Sequence, residues 1–244
     1  MGTTGKPLKA RIISVTRRFH GAHSKFIRRL EHVRTNLIPS LLAIGLEPDI
    51  FPAVIRIEVP IVDGVAIYGS LRIKFGEGCI GNLLSNYELW KLSATTGEPL
   101  LILEDDALLP AENELFVANA IQSFLALGGN RDILYLLGKN PSLRDRFKSY
   151  EPSETVRLDA HISRLLSTDD LSCTAAYLVT PTAAQALMDR ITHYESRPTD
   201  GYVHTAFRSG EIGVLVQPDP KRGFLLNDNW ADWNHKHDPS LWPK

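Results

Sequence analysis

The chain has 244 residues and balances 27 Lys and Arg against 28 Asp and Glu, for a formal net charge of -1. With 43% hydrophobic and 23% charged residues, it has the composition of a globular protein that can bury a sizeable core. The near-neutral balance argues against a protein whose main task is nucleic-acid binding. Two cysteines, Cys79 and Cys173, are too few for a disulfide framework or a four-cysteine zinc site.

Residues 1–10 lack the apolar centre of a signal peptide, and no run of about 18 apolar residues occurs in the sequence. We therefore expect a cytoplasmic protein without a transmembrane segment. A basic stretch over residues 17–34 would permit peripheral contact with the inner face of a membrane.

Strand-like apolar runs alternate with segments of helical spacing, which predicts an α/β fold. Strands are predicted at 11–15, as short pieces within 46–75, and at 100–103, 132–137, 175–179 and 212–216. Helices are predicted at 26–39, ending at Pro39, and at 83–90, 116–125 and 181–188. We expect one domain over residues 1–226 and a C-terminal tail at 227–244 that contains Trp230, Trp233, Trp242, His235 and His237.

The segment from Lys139 to Ser172 is polar and shows little periodicity. Such a segment is typical of a mobile lid or of a poorly packed excursion from the fold.

Three carboxylates, Glu104, Asp105 and Asp106, follow the apolar run 100–103, and no Lys or Arg lies between Lys91 and Arg131. Their mutual repulsion calls for a cation, and oxygen ligands of this kind suit Mg²⁺ or Mn²⁺. A divalent ion held there would also neutralise a diphosphate. The alternative is that Asp105 or Asp106 caps the following helix.

A glycine pattern offers a rival interpretation. Gly76, Gly78 and Gly81 fit G-x-G-x-x-G, follow the strand-like run 71–75 and precede an acid at Glu104. This arrangement is typical of a dinucleotide or S-adenosylmethionine site. The other interpretation is a glycine-rich turn with a purely structural purpose.

The basic stretch has six cations opposed only by Glu31. Cations placed just after the first strand could contact a diphosphate. A solvated helix face is the alternative. The six are Arg17, Arg18, Lys25, Arg28, Arg29 and Arg34.

Seven segments occur in an order that matches one known family. They are the strand and arginines at 12–18, 51–54, the glycine-containing stretch 78–90, the carboxylate strand 101–107, 174–184, 198–200 and 216–218. Together they resemble glycosyltransferase family 25, which includes bacterial lipooligosaccharide galactosyltransferases and animal procollagen galactosyltransferases. The resemblance covers about residues 11–220, and its specific element is the strand that ends in Glu-Asp-Asp.

Within the stretch 78–90 the glycines, Ile80, Ser85 and Trp90 agree with the family motif. The family's Glu, Cys and His positions are instead occupied by the three residues Cys79, Asn82 and Asn86. These departures keep open a third hypothesis, a catalytically inactive glycosyltransferase-like binding module.

The resemblance implies a GT-A-like fold, with a mixed, mostly parallel central sheet flanked by helices. It also implies transfer of a sugar, galactose or glucose first, from a UDP-sugar to a hydroxyl of a glycan or protein, with inversion. Lipopolysaccharide biosynthesis is the expected context.

The resemblance further suggests roles for individual residues. Glu104 and Asp106 would hold Mn²⁺ or Mg²⁺, and Asp200, in a matching Pro-x-Asp, would be the catalytic base, although it could equally cap a helix. Fallback carboxylates are Asp159, Asp169 and Asp170, and His235 or His237 could add a metal ligand. The expected donor-binding residues are Arg17, Arg18, Ser85, Asn86 and Asp105.

Overall fold

A computed structural model of the chain describes residues 6–16, 24–54, 77–137, 154–167, 171, 174–193, 198–219 and 221–226. The helices in this part of the chain are α1 Ser24–His32, α2 Ile38–Ala43, α3 Glu77–Thr96, α4 Glu114–Leu127, α5 Pro181–His193 and α6 Thr199–Arg208. The strands are β1 Lys9–Ser14, β2 Glu47–Pro52, β3 Leu100–Glu104, β4 Ala107–Leu108, β5 Asp132–Tyr135, β6 Glu154–Arg157, β7 Ser163–Ser167, β8 Ala176–Val179, β9 Gly213–Val216 and β10 Leu225–Leu226.

Eight of the described strands form one sheet in the order β2-β1-β3-β8-β5-β9-β7-β6. β1 is parallel to β2 and β3, β8 runs antiparallel between β3 and β5, and β5 is parallel to β9. β7 and β6 complete the sheet in antiparallel pairs. Six strands therefore run in one direction, and only β8 and β7 oppose them. The predicted α/β architecture with a mixed, mostly parallel sheet is confirmed.

The central strands are buried along their whole length. Leu100–Leu103 and Ala176–Val179 are almost fully inaccessible to solvent, and helix α3 packs on α5 and α6. A strand covered on both faces needs a continuous apolar run rather than alternation. The same runs predicted these strands from the sequence.

The first helical region continues past the predicted end at Pro39. A π-helical turn, Val33–Leu37, joins α1 to α2, and the Ile38 N–H donates to the Val33 carbonyl. Proline has no N–H and its ring crowds the carbonyl four residues earlier. The wider turn accommodates this proline near the start of α2, so the chain stays helical to Ala43.

The prediction of an irregular segment at 139–172 is wrong for residues 154–167. These residues form the hairpin of β6 and β7, and β7 pairs with β9 of the main sheet. The N–H groups of His161 and Ile162 donate to Asp159 Oδ1 and fix the turn. β6 is exposed along its length, so its polar sequence concealed the strand. Residues 138–153, 168–170 and 172–173 lie outside the described part.

None of the described helices is both long and apolar enough to cross a membrane. The short sheet of β4 and β10 is the last feature of the described chain. The predicted tail, 227–244, and with it the boundary after residue 226, lies outside the described residues.

Candidate active site

Two parallel strands end side by side at the edge where the carboxylates lie. β1 ends at Ser14 and β3 at Glu104, and Ile13 pairs with Glu104. Asp105 and Asp106 form the turn between β3 and β4. In open α/β sheets, ligands bind outside the carboxyl ends of the strands. The acidic cluster therefore occupies the position where this architecture binds its ligand.

Arg29 of helix α1 bridges two of the three carboxylates. Its Nη1 donates to Asp105 Oδ1 at 2.8 Å and its Nη2 to Asp106 Oδ2 at 2.9 Å. Ser14 Oγ donates to the other oxygen of Asp105 at 3.0 Å. The sequence separation of 76 residues hid this cation from the sequence analysis. When Glu104, Asp105 and Asp106 are all ionised, they and Arg29 together still carry a formal charge of -2.

Asp106 has one carboxylate oxygen that lacks a hydrogen-bond partner in the described part of the chain. Its Oδ1 is buried, and no residue that the structure describes forms a hydrogen bond with it. A buried carboxylate oxygen in this state is costly unless a cation or water meets it. The capping alternative for Asp105 and Asp106 is wrong, because the turn leads into β4 and the next helical residues begin at Ala111.

Glu104 is held from helix α3. Asn82 Nδ2 donates to Glu104 Oε1 at 2.9 Å. Burial and the neighbouring charges of Asp106 and Asp105 raise the pKa of Glu104 to about 8, against the opposing effects of Asn82 and Arg29. A nearby divalent cation would strongly favour the ionised form of a carboxyl group whose pKa is raised in this way.

Helix α6 brings Asp200 to the same region. Thr199 Oγ1 donates to Asn82 Oδ1 at 2.6 Å, so the first residue of α6 shares a partner with Glu104. Burial, then the charges of Asp200 and Glu104, raise the pKa of the Cys79 thiol to about 11. The thiol thus lies within the field of both carboxylates.

The alternative role of Asp200, as the cap of a helix, is wrong. Pro198 is the N-cap residue of α6, and Asp200 lies in the first turn. Its Oδ1 accepts a hydrogen bond from the Gly201 N–H at 2.8 Å. A carboxylate in the first turn is favoured by the helix dipole whatever its chemical role.

Ser85 and Asn86 are in the site region but are fully buried. Ser85 Oγ accepts from the Val54 N–H at 2.9 Å and donates to the Gly81 carbonyl at 2.7 Å. Asn86 donates to the Asn82 carbonyl at 2.9 Å. These contacts hold α3 in place, and direct donor contact by Ser85 or Asn86 stays a prediction. The same holds for Asp105, both of whose oxygens accept hydrogen bonds within the protein.

Gly81 has a packing reason to be glycine. A Cβ at this position would lie 2.7 Å from the Val54 carbonyl oxygen. Helix α3 therefore approaches the chain after β2 too closely for any side chain at residue 81. This supports the structural interpretation of the glycine pattern, whose first member, Gly76, lies outside the described residues.

One of the predicted fallback carboxylates, Asp159, is not brought to this cluster. Asp159 lies in the turn between β6 and β7, and the three strands β8, β5 and β9 separate β7 from β3 in the sheet. Other predicted site residues fall outside the described residues, namely Arg17, Arg18, Asp169, Asp170, His235 and His237. The sequence predicted Arg29 as one of six cations that could contact a diphosphate, and the structure places its guanidinium on Asp105 and Asp106. Asn82 had no predicted role, and Ser14 and Thr199 were missed, because their partners are distant in sequence.

The donor set suits a hard divalent ion in one respect and is incomplete in another. No group of three or more His, Cys, Asp or Glu with metal-binding geometry occurs in the described ranges. Mg²⁺, however, is commonly bound by one or two carboxylates together with substrate phosphates. Glu104 and Asp106, with the open Oδ1 of Asp106, fit that kind of site.

The fold and the edge cluster together define an α/β protein with an acidic cluster at the carboxyl ends of β1 and β3. A family model described as glycosyltransferase family 25 (LPS biosynthesis protein) matches residues 69–203, more than half of the chain. The matched region contains Asn82, the three carboxylates and Asp200. The chain belongs to glycosyltransferase family 25. No curated protein matches the sequence.

Solved structures are similar in fold at low sequence identity. A UDP-glucose pyrophosphorylase from Acinetobacter baumanii superposes with a TM-score of 0.50 at 10% identity, over 89% of this chain and 87% of that one. A glycosyltransferase involved in glycosylation of the major capsid of PBCV-1 gives 0.46 at 10% identity, over 90% and 92%. The inositol-1-phosphate CTP transferase from T. maritima gives 0.45 at 13% identity, over 97% and 94%. The likeness to the pyrophosphorylase shows a shared fold alone.

Proposed function

We propose that this glycosyltransferase moves a hexosyl group, galactose or glucose first, from a UDP-sugar to a hydroxyl of a glycan or protein acceptor. We further propose a GT-A-like site, dependence on Mn²⁺ or Mg²⁺, and inversion at the anomeric carbon. The observation that carries the proposal is the acidic cluster at the carboxyl edge of β3, where one guanidinium balances only one of three carboxylates.

Glu104 and Asp106 are the residues that would hold the metal. The residual charge of the cluster and the buried, open Oδ1 of Asp106 support this assignment. When bound, the metal would stabilise the negative charge that develops on the departing UDP. Arg17 and Arg18, which follow β1 in sequence, would contribute at the diphosphate.

Arg29 and Ser14 have a different role in the proposal. Both hold Asp105, so this carboxylate fixes the turn and orients its neighbours Glu104 and Asp106. Site groups that are locked by hydrogen bonds need no reorganisation when the donor binds. Ser85 and Asn86 would act in the same supporting way from helix α3.

Asp200 is the proposed catalytic base. In an inverting displacement the acceptor oxygen forms a bond to the anomeric carbon while the bond to the UDP oxygen breaks, and the base takes the acceptor's proton. The hydrogen bond from Thr199 to Asn82 at 2.6 Å links this start of α6 to the Glu104 side of the site. The raised thiol pKa of Cys79 supports the same proximity.

The deciding experiment is calorimetric titration of UDP with and without Mn²⁺, with NAD and S-adenosylmethionine run beside it. We expect metal-dependent UDP binding that Asp106→Asn abolishes and that Asp189→Asn leaves unchanged. Asp189 is an exposed carboxylate on α5 and serves as the matched control. Heat from NAD or S-adenosylmethionine without any from UDP would instead support the glycine-pattern interpretation.

Binding without turnover is the signature of the inactive-module hypothesis. Release of free sugar or its transfer to acceptor, measured with UDP-galactose and UDP-glucose and Mn²⁺, would exclude that hypothesis. Absence of turnover with all donors and acceptors, despite metal-dependent UDP binding, would support it over the transferase proposal.

We also propose that the protein works in the cytoplasm, with its acceptor at a membrane surface. Arg28 and Arg34 are exposed along the first helical region, whereas Arg29 is turned into the site. Co-sedimentation with anionic vesicles, lost in the double variant Arg28→Gln, Arg34→Gln, is the expected result. Equal sedimentation of both proteins would contradict this part of the proposal.

A further inference from the structure

A chain of hydrogen bonds runs from the core to the acidic cluster, and its direction can be deduced. Trp90 Nε1 donates to Tyr177 Oη at 2.7 Å, and Tyr177 Oη donates to Asn86 Oδ1 at 2.6 Å. An indole N–H can only donate, so the hydroxyl of Tyr177 must use its own proton toward Asn86. All three side chains are fully buried, and burial raises the pKa of Tyr177 so that it keeps this proton.

The same polarity continues through the two asparagines. Asn86 Nδ2 donates to the main-chain carbonyl of Asn82 at 2.9 Å and to its Oδ1 at 3.1 Å. The side-chain oxygen of Asn82 therefore faces Asn86, which leaves its Nδ2 to face Glu104 at 2.9 Å. This chain of hydrogen bonds from Trp90 to Asn82, called the relay below, thus presents an N–H to Glu104. An N–H donor favours an ionised carboxylate.

Asn82 is also the point where this relay branches. Its Oδ1 accepts a second hydrogen bond, from Thr199 Oγ1 at 2.6 Å. One amide on helix α3 therefore contacts both the end of β3 and the start of α6, two elements that are far apart in the sequence. Residues 82 and 86 are also two of the positions where this chain departs from the family motif.

We propose that Asn82 is a positioning residue that sets the geometry between Glu104 and the start of helix α6, which carries Asp200. This inference rests on the proposed function, in which Glu104 holds the metal and Asp200 takes the proton. A ligand or a base that is displaced by about 1 Å loses much of its effect. Asn82 aligns both through its two amide atoms.

The test compares Asn82→Ala with Thr199→Val and with Ser93→Ala. Thr199→Val removes only the branch toward α6, whereas Asn82→Ala removes both branches. Ser93 is a buried residue of the same helix whose Oγ donates to the Glu98 carbonyl at 2.8 Å, so its variant reports the cost of losing a buried hydrogen bond elsewhere on α3. The readouts are Mn²⁺-dependent UDP affinity, kcat and KM for the donor, and unfolding by urea.

We expect Asn82→Ala to weaken Mn²⁺-dependent UDP binding about tenfold and to lower kcat as well, as the loss of partners that orient metal ligands does. Thr199→Val should leave that affinity within about twofold while kcat falls by about fivefold, because only the base side is loosened. Ser93→Ala should change stability alone. If Asn82→Ala likewise changes stability alone, with kcat and affinity intact, the inference is wrong.

The inference can fail separately from the proposed function. If the unaltered protein binds no UDP with Mn²⁺, the proposed function fails. The joint role of Asn82 at Glu104 and Thr199, called the junction here, is then tested by unfolding free energies alone. A double-mutant cycle of Asn82→Ala and Thr199→Val that deviates from additivity would support the junction, and strict additivity would contradict it.

Discussion

Each end of the central strands carries an arginine that binds carboxylate, and the two ends differ in their charge balance. At the amino ends of β5 and β9, Arg164 donates to both oxygens of Asp132, at 3.0 and 2.7 Å. The pair is one cation to one anion. At the carboxyl ends of β1 and β3, Arg29 serves two carboxylates and a third, Glu104, lies beside them.

The pair of Arg164 and Asp132 is closely packed around its carboxylate. Asp132 also accepts the Gly129 N–H, and a Cβ on Gly213 would lie 2.0 Å from Asp132 Oδ1. This charge-balanced pair, called the clamp below, links β5 to β7 across β9. The acidic cluster instead has an excess of negative charge and an open buried oxygen on Asp106. We therefore expect the function at the edge that carries the charge surplus rather than at an ion pair as such.

The largest expected effect on stability comes from breaking the clamp. Arg164→Met should lower the free energy of unfolding by about 3 kcal/mol, because it leaves the buried carboxylate of Asp132 without its cation. Urea unfolding measures this loss. Metal-dependent UDP binding by the folded protein should be unchanged, and a loss of binding would show that the clamp and the site are coupled.

Arg29→Met should lower the free energy of unfolding by about 2 kcal/mol in the absence of divalent metal, because Asp105 and Asp106 then lose the guanidinium that bridges them. Unlike the loss in Arg164→Met, much of this loss should be recovered when Mn²⁺ is added during urea unfolding. Equal responses of the two variants to Mn²⁺ would remove the distinction between clamp and site.

The raised pKa of Glu104 predicts a pH effect on the metal-free protein. Between the ordinary carboxyl range and pH about 8, the folded protein holds a proton that the unfolded chain releases. Stability from this group should therefore fall as pH rises through that window, by at most about 1.4 kcal/mol per pH unit. Glu104→Gln should flatten the profile, measured by urea unfolding at several pH values. An unchanged slope would mean that Glu104 titrates normally.

The smallest effect concerns the contact that holds α3 beside the cluster. Gly81→Ala should cost about 1 kcal/mol, because the new Cβ would meet the Val54 carbonyl at 2.7 Å and the helix must shift. We expect a modest fall in Tm and no heat from NAD or S-adenosylmethionine with either protein. Unaltered stability would show that the approach of α3 to Val54 is looser than described.

Local patterns were sufficient for most of the fold. The apolar runs that became β3 and β8 are continuous because both faces of those strands are covered, and α3 and α4 follow helical spacing. The hairpin of β6 and β7 escaped prediction because its residues are largely exposed and polar. The helix beyond Pro39 was not predicted, because a π-helical turn accommodates the proline without ending the helix.

The carboxylates themselves, Glu104, Asp105 and Asp106, could be identified from their place after an apolar run, since a strand end is a local property of the sequence. Their partners could not. Arg29 lies 76 residues from Asp105, and Thr199 lies 117 residues from Asn82. Hydrogen bonds between side chains on different elements depend on the order of strands in the sheet and on how helices pack against it. Only the tertiary structure decided which cation bridges Asp105 and Asp106 and which amide contacts both Glu104 and Thr199.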